Sequence, residues 1–370
     1  MKERILVFGG SFDPPHRGHQ ALLDAAREKI SPARVLVIPA YHSPWKENSW
    51  ALPGDRFLMA KLAFLGSEIS RIEMRARRRV YTVDILSRLK KENPGSEIHF
   101  VIGSDLAARF NDWKNPPRLR ELAHWWTAMR PPRQGKIPPF FNGLKKPMPE
   151  VSSTELRESL LMGEDVSSKV DSKVLSFIFK RGLYGTSIIP TLRKILKPER
   201  FLHTLSVARL ARRLAPVWKA HSFEAALAGL LHDAGRSVSV SEMKSYCQKR
   251  RLKIPLFQEM ASLQPVLLHA YISEDLARQR FKVQNARVLS AIRNHTLGAL
   301  KMGALERLIY VSDACSEDRN YSEAARLRSL AAENPEQAFL ECVNAKIRYA
   351  VSLKGWIHPL SIKIWNSMIL

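Results

Sequence analysis

His16 and His19 stand three residues apart at the end of the string Gly9-Gly10-Ser11-Phe12-Asp13-Pro14-Pro15-His16-Arg17-Gly18-His19. Imidazoles at that spacing share one face of a helical turn, where they can give protons or hydrogen bonds to phosphoryl oxygens. Gly9 and Gly10 carry no Cβ to hold a ligand away from the backbone. A second stretch with related chemistry is Ser152-Ser153-Thr154-Glu155-Leu156-Arg157. Hydroxyls and N–H groups at a helix start, with an arginine one turn in, suit an anion. A Ser-x-x-Glu is equally an ordinary helix cap, so alone it says less than the glycine–histidine string. Lys46 offers a point charge for a phosphate, and Asp105, after Gly103-Ser104, is placed for a ribose hydroxyl.

A different chemistry lies in the second half. His203, His232-Asp233, His269, His295 and Asp313 each interrupt or end an apolar run. One histidine on an apolar helix is more often a hydrogen-bonded core residue than a ligand. Four, with two carboxylates, need partners if they converge inside. Metal ions supply such partners; a nitrogen and oxygen set suits iron or manganese, and Asp233 could bridge two ions.

The elements that must hold these groups follow from the apolar pattern. Ile5 to Phe8 reads as a buried strand and Gln20 to Ile30 as a helix, so the first string is a strand-to-helix turn. Arg34 to Pro39 and Ile98 to Gly103 read as further strands, Ile69 to Met74 and His124 to Met129 as candidate strands, and Arg56 to Leu65 and the run from Tyr81 as helices. This alternation predicts an α/β doubly wound parallel sheet. Beyond Gly185 only helical patterns remain, from Pro198 onward. The expected organisation is therefore residues 1–185 as an α/β domain and 186–370 as an all-α domain.

The chain has 370 residues and a formal net charge of +24, with the excess in both halves. Such a field favours anionic partners: nucleotides, RNA or acidic membranes. No recognisable RNA-binding element accompanies it, so nucleic acid is not the expected partner. The three cysteines form no CxxC pair, which suits a reducing compartment. No run approaches the roughly 18 apolar residues of a membrane span, and the chain opens on a strand rather than a signal peptide. A cytoplasmic protein without membrane contact is expected; an oligomer is left open.

The first string resembles the G-G-x-F-D-P-x-H-x-G-H element of the Rossmann-like nucleotidylyltransferase superfamily. With Tyr81-Thr82-Val83-Asp84, Gly103-Ser104-Asp105, Phe110-Asn111-Asp112-Trp113, Arg130-Pro131 and Val151-Ser152-Ser153-Thr154, residues 1 to about 185 resemble the bacterial nicotinate-nucleotide adenylyltransferases. That resemblance implies transfer of an adenylyl group from ATP, with Mg²⁺, to nicotinate mononucleotide. It places ATP on Gly9, Gly10, Ser11, Phe12, His16, His19, Gly103, Asp105, Arg130, Ser152, Ser153, Thr154 and Arg157. It places the acceptor on Asp13, Lys46, Thr82 and Trp113, with the Trp113 ring under the nicotinate, although a core tryptophan would look the same. His16, His19, Lys46 and Arg157 would carry catalysis. Phosphopantetheine and nicotinamide mononucleotide are the alternative acceptors.

The order H…HD…H…H…D resembles the HD phosphohydrolase superfamily. Leu230-Leu231-His232-Asp233, Leu267-Leu268-His269, His295-Thr296-x-Gly298 and the Asp313 to Arg319 tail are similar to its symmetrical diadenosine tetraphosphatases. This implies a dinuclear iron (or manganese) centre on His203, His232, Asp233, His269, His295 and Asp313, acting on dinucleoside polyphosphates, with Asp233 catalytic. Arg236 stands where that family usually carries lysine. A sensor role for the HD half, or a different nucleotide substrate for it, is the alternative.

Overall fold

Strand β1 (Arg4–Gly10) forms because four consecutive apolar residues, Ile5 to Phe8, are covered on both faces. The computed structural model describes residues 2–41, 50–78, 80–128 and 136–369. After β1 come α1 (Arg17–Ile30), β2 (Arg34–Pro39), α2 (Pro53–Ala63), β3 (Glu68–Ile69), α3 (Ile72–Ala76), α4 (Thr82–Glu92) and β4 (Glu97–Ile102). Then follow α5 (Ser104–Ala107), α6 (Pro116–Leu122), β5 (His124–Ala128), β6 (Asn142–Leu144), α7 (Ser153–Leu161) and α8 (Ser172–Arg181). Every strand pair is parallel, in the order β3-β2-β1-β4-β5-β6.

Alternation along β1 builds two cores. Leu6 and Phe8 pack with Leu23 of α1, Met59 of α2, Leu156 of α7 and Ile178 of α8. Ile5 and Val7 pack with Leu86 of α4 and Leu119 of α6. Each such side chain contributes about 1.5–3 kcal/mol of transfer free energy, which fixes the strand's register and with it the position of Gly9 and Gly10. The strand order reverses between β1 and β4, and a crevice opens there beyond their carboxyl ends.

Two stretches differ from expectation. Ile69 to Met74 is strand only over β3 and then turns into α3. The Ser70 N–H makes the last bond to the sheet, at the Val37 carbonyl, and the Ser70 hydroxyl accepts from the Ile72 N–H, 3.2 Å away. Conversely, β6 forms in a Pro-, Gly- and Lys-rich stretch with no strand pattern of its own. It is an edge strand, paired along Trp126 to Ala128 and tied by the Asn142 side-chain amide to the Trp125 carbonyl.

The remaining elements are helical: α9 (Ile188–Ile195), α10 (Pro198–Leu214), α11 (Ser222–Leu231), α12 (Val240–Lys249), α13 (Phe257–Leu263), α14 (His269–Gln279), α15 (Ala286–Asn294), α16 (Ala304–Cys315), α17 (Ala324–Glu333), α18 (Pro335–Ser352) and α19 (Pro359–Ile369). The chain divides into two compact units, Met1–Leu160 with Glu164–Tyr184, and Leu161–Gly163 with Gly185–Leu370. In the helical unit α11 is buried from Phe223 to Leu231, apolar there apart from Glu224, so it is central. Gly229 allows that: a Cβ there would lie 2.6 Å from the Ala208 Cα of α10. Among the described residues no helix is long and apolar enough to cross a membrane.

Candidate active sites

The crevice of the α/β unit is a cavity of about 940 Å³, walled by the ends of β1 and β4 and the starts of α1, α4 and α7. His16 is the N-cap of α1, and its Nδ1 accepts from the His19 N–H at 3.3 Å. The two imidazoles are stacked, with centroids 3.7 Å apart. Both line the cavity at the positive end of a 14-residue helix. Opposite them, the start of α7 brings Ser152, Ser153 and Thr154 to the wall. The Ser152 hydroxyl accepts from the Thr154 N–H at 3.2 Å, and the Ser153 hydroxyl donates to the Pro14 carbonyl at 3.0 Å. Two helix starts thus face one space and are tied to each other. Gly9, Gly10, Ser11, Gly103 and Asp105 line the same cavity, as do Thr82 and Trp113.

Three residues expected at the ligand are placed behind the wall. The Phe12 ring is fully buried, edge-on to Phe8 at 5.1 Å and Phe64 at 4.9 Å. Gly10 makes room for it, since a Cβ there would meet that ring at 2.8 Å. The Asp13 carboxylate is buried and accepts from the Trp50 and Ala51 N–H groups and from the Tyr184 hydroxyl at 2.8 Å. Arg157 donates to the Asp13 carbonyl at 2.7 Å and to the Thr154 hydroxyl at 3.1 Å. Burial lowers its pKa against the opposing pull of Asp13. Arg157 therefore ties the strand-to-helix turn to α7, while Phe12 and Asp13 anchor the turn from behind. Lys46 and Arg130 lie outside the described residues.

The structure also adds residues that the motifs did not single out. Buried Arg56 ties the turn to the end of β2 through the Ser11, Ala40 and Tyr41 carbonyls. Glu73 lines the cavity, accepts from the Tyr41 N–H at 2.8 Å, and is pushed up to about 7 by burial. Nothing in the sequence separates these two from surface charges.

In the helical unit the six expected ligands converge. His203 comes from α10, His232 and Asp233 from the end of α11, His269 from the start of α14, His295 from the end of α15 and Asp313 from α16. His203 Nε2 lies 3.1 Å from Asp313 Oδ1, and His269 Nε2 lies 3.1 Å from Asp233 Oδ1 and 3.0 Å from His295 Nε2. Three of the rings are fixed alike: His232, His269 and His295 each hold the carbonyl three residues earlier through Nδ1, at 2.6–2.7 Å. The Nδ1 of His203 holds Asp318 Oδ2 at 2.7 Å. A ring that donates from Nδ1 presents a bare Nε2, the arrangement a metal ligand needs.

The donor set fits divalent ions. His203, His232 and Asp313 form one group of converging ligand atoms, and His232, Asp233 and His295 a second that shares His232. The His232 Nε2 is buried with no hydrogen-bond partner, an orphan a metal would satisfy. Burial pushes the His232 and His295 pKa values down. Burial would raise Asp233, but the imidazoles around it outweigh that and hold it well below the usual carboxylate range. Four cations surround the group: Arg200 at 2.8 Å and Arg236 at 3.5 Å from Asp233, and Arg319 at 2.7 Å and Lys346 at 3.7 Å from Asp313. Asp318 and Arg200 were not picked out by sequence, because each sits among charged neighbours that look solvated; Lys346 lies on α18, outside any motif.

Similarity to known proteins follows the same division. The cytidylyltransferase-like family matches residues 7–159 and the HD domain family residues 200–319. A Mycoplasma genitalium protein named as a probable nicotinate-nucleotide adenylyltransferase/Ap4A hydrolase is 28% identical over 92% of this chain and 97% of its own. A Mycoplasma pneumoniae protein of the same name is 25% identical over 87% of this chain and 91% of its own. A Rubrobacter xylanophilus protein named as a probable nicotinate-nucleotide adenylyltransferase is 32% identical over 53% of this chain and 99% of its own.

Proposed function

The chain belongs to the nicotinate-nucleotide adenylyltransferase family and carries an HD domain behind that half, and from this we propose that it is a bifunctional enzyme. Residues 1–185 adenylylate nicotinate mononucleotide with ATP, forming deamido-NAD. Residues 186–370 hydrolyse diadenosine tetraphosphate to two ADP. The observation that carries the first activity is the start of α7 facing the stacked His16 and His19 at the start of α1 across one cavity. The second is carried by four imidazole Nε2 atoms and two carboxylates aimed at one another inside a helical core.

The acceptor phosphate attacks the ATP α-phosphate in line, so the chain's work is positioning and neutralising charge. His16 and His19 give hydrogen bonds to the charge that grows at the α-phosphate, and the Ser152 to Thr154 segment holds the phosphate tail at the start of α7. Lys46 and Arg130 are assigned to phosphates by their place in the sequence, and Mg²⁺ accompanies the ATP. Trp113 offers its ring to the pyridine and Asp105 its carboxylate to a ribose.

In the HD half, His203, His232, Asp233, His269, His295 and Asp313 hold two divalent ions, iron or manganese. When bound, these supply Lewis acidity at the phosphoryl oxygens. Asp233, placed between His232 and His269, is the carboxylate able to serve both ions. Arg200, Arg236, Arg319 and Lys346 neutralise the polyphosphate. The three buried, unpaired cysteines suit a cytoplasmic protein.

The full chain is tested with each substrate in turn. Deamido-NAD must form from nicotinate mononucleotide and ATP, and ADP must be released from diadenosine tetraphosphate by the iron- or manganese-loaded protein. A several-fold preference for nicotinamide mononucleotide or phosphopantetheine overturns the first assignment. Metal binding without any ADP release replaces the second with a sensor role.

A further inference from the structure

The charge of the adenylyltransferase cavity is lopsided. Glu73, Asp105, Asp112, Glu150 and Glu155 line it, and among the described residues only one lysine or arginine does, Lys114. Lys114 follows Trp113 directly, so the single cation sits at the aromatic end of the cavity, where α4 also begins with Tyr81 and Thr82. Its ammonium lies 4.3 Å above the centroid of the Tyr81 ring and 3.5 Å from Asp84 Oδ2. A cation over an aromatic face is held by the ring quadrupole while its donors stay available. Trp113 rests against Phe110 at 5.9 Å, and its Nε1 is buried without a hydrogen-bond partner, so the platform beside Lys114 is built into the core rather than loose.

A flat ring bearing a carboxylate and one bearing a neutral amide differ by one negative charge at nearly the same shape. The wall carboxylates of Asp105, Asp112, Glu150 and Glu155 disfavour the acid unless a cation meets it. The phosphate of the acceptor must approach the ATP at the His16 and His19 end, which leaves the ring end to Lys114. Resting on the adenylyltransferase reading of this cavity, we propose that Lys114 is the specificity-determining residue that selects a pyridine ring bearing a carboxylate over one bearing an amide. It acts in binding and not in the bond-making step, so its loss appears in KM.

The test uses the full-length protein with nicotinate and nicotinamide mononucleotides as competing acceptors. Lys114→Met should raise KM for the acid about tenfold with kcat near the wild-type value, the scale of one lost hydrogen bond to a charged group. The ratio of kcat/KM for acid over amide should fall by a similar factor, and Lys114→Arg should restore most of it. An unchanged ratio overturns the assignment. If both acceptors weaken together, Lys114 serves the shared phosphate or merely supports Trp113. If wild-type protein does not adenylylate nicotinate mononucleotide at all, the parent reading falls and takes this one with it. Wild-type turnover with an unmoved ratio in Lys114→Met removes Lys114 alone.

Discussion

On the proposed mechanism, His19 is expected to matter to rate and hardly to affinity. Its ring is stacked on His16 and turned to the cavity, where charge grows on the α-phosphate only as the new bond forms. Help needed mainly in the transition state lowers kcat when it is lost. His19→Ala should therefore cut kcat by roughly 100-fold while KM for nicotinate mononucleotide moves by no more than about threefold. Steady-state kinetics with saturating ATP decides it, and an unchanged kcat removes His19 from the chemistry. Asp318 acts one step further from reaction, holding His203 Nδ1 at 2.7 Å so that Nε2 faces Asp313. Burial would raise the Asp318 pKa, but hydrogen bonds with Ser316 and Ser206 and the nearby His203 outweigh it, leaving it at about 2. Asp318→Asn keeps an acceptor oxygen and loses the charge, so metal affinity should drop about 10- to 100-fold. Metal content after dialysis is the readout, and full retention would separate Asp318 from the centre. The six residues proposed as ligands stand out in the sequence because each is a polar residue interrupting or ending an apolar run. Asp318 was not, since it sits in Ser316-Glu317-Asp318-Arg319, which looks like solvated loop. Asp13 and Arg157 are marked by their motifs, but the sequence does not show that the Asp13 carboxylate bonds Tyr184 and that Arg157 bonds the Asp13 carbonyl.

At the scale of elements, periodicity spoke clearly wherever burial was two-sided. β2 runs over Arg34–Pro39 as its apolar run predicts, and β1 and β4 extend little beyond theirs. It failed at the sheet edges, where β3 and β6 have two and three residues and owe their strand character to a neighbour's hydrogen bonds. Packing of α10 on α11 depended on something no periodicity shows, the single hydrogen of Gly229. A methyl there would meet backbone at 2.6 Å, which cannot move as a flexible side chain would. His203 on α10 and His232 after α11 face each other across this contact, with rings 5.3 Å apart. Gly229→Ala should destabilise the helical unit by about 1–3 kcal/mol. Because it shifts both helices, it should also weaken metal binding. Denaturant unfolding followed with and without added metal measures both effects, and wild-type stability would show that the contact relaxes freely.

For the whole molecule, the distinction that matters is between a metal that arrives with a nucleotide and metals held by the chain. The α/β unit offers its phosphates two helix starts and a histidine pair, with no cluster of ligands among its described residues. On the proposed reading, magnesium would enter there with ATP, as a hydrated ion bound largely to phosphate oxygens. The HD centre is imidazole-rich, and magnesium, a hard cation that dehydrates reluctantly, has little affinity for four nitrogens. Stripping the protein with a chelator and returning magnesium alone should restore deamido-NAD synthesis to its starting rate and leave hydrolysis of diadenosine tetraphosphate near zero. Adding iron or manganese should then bring hydrolysis back. Asp233→Ala should behave as permanently stripped protein in the hydrolysis assay and as wild type in the synthesis assay, since no residue of the first cavity belongs to the second centre. Full recovery of hydrolysis with magnesium alone would contradict the nitrogen-ligated centre. Loss of synthesis in Asp233→Ala would show instead that the two halves do not work independently.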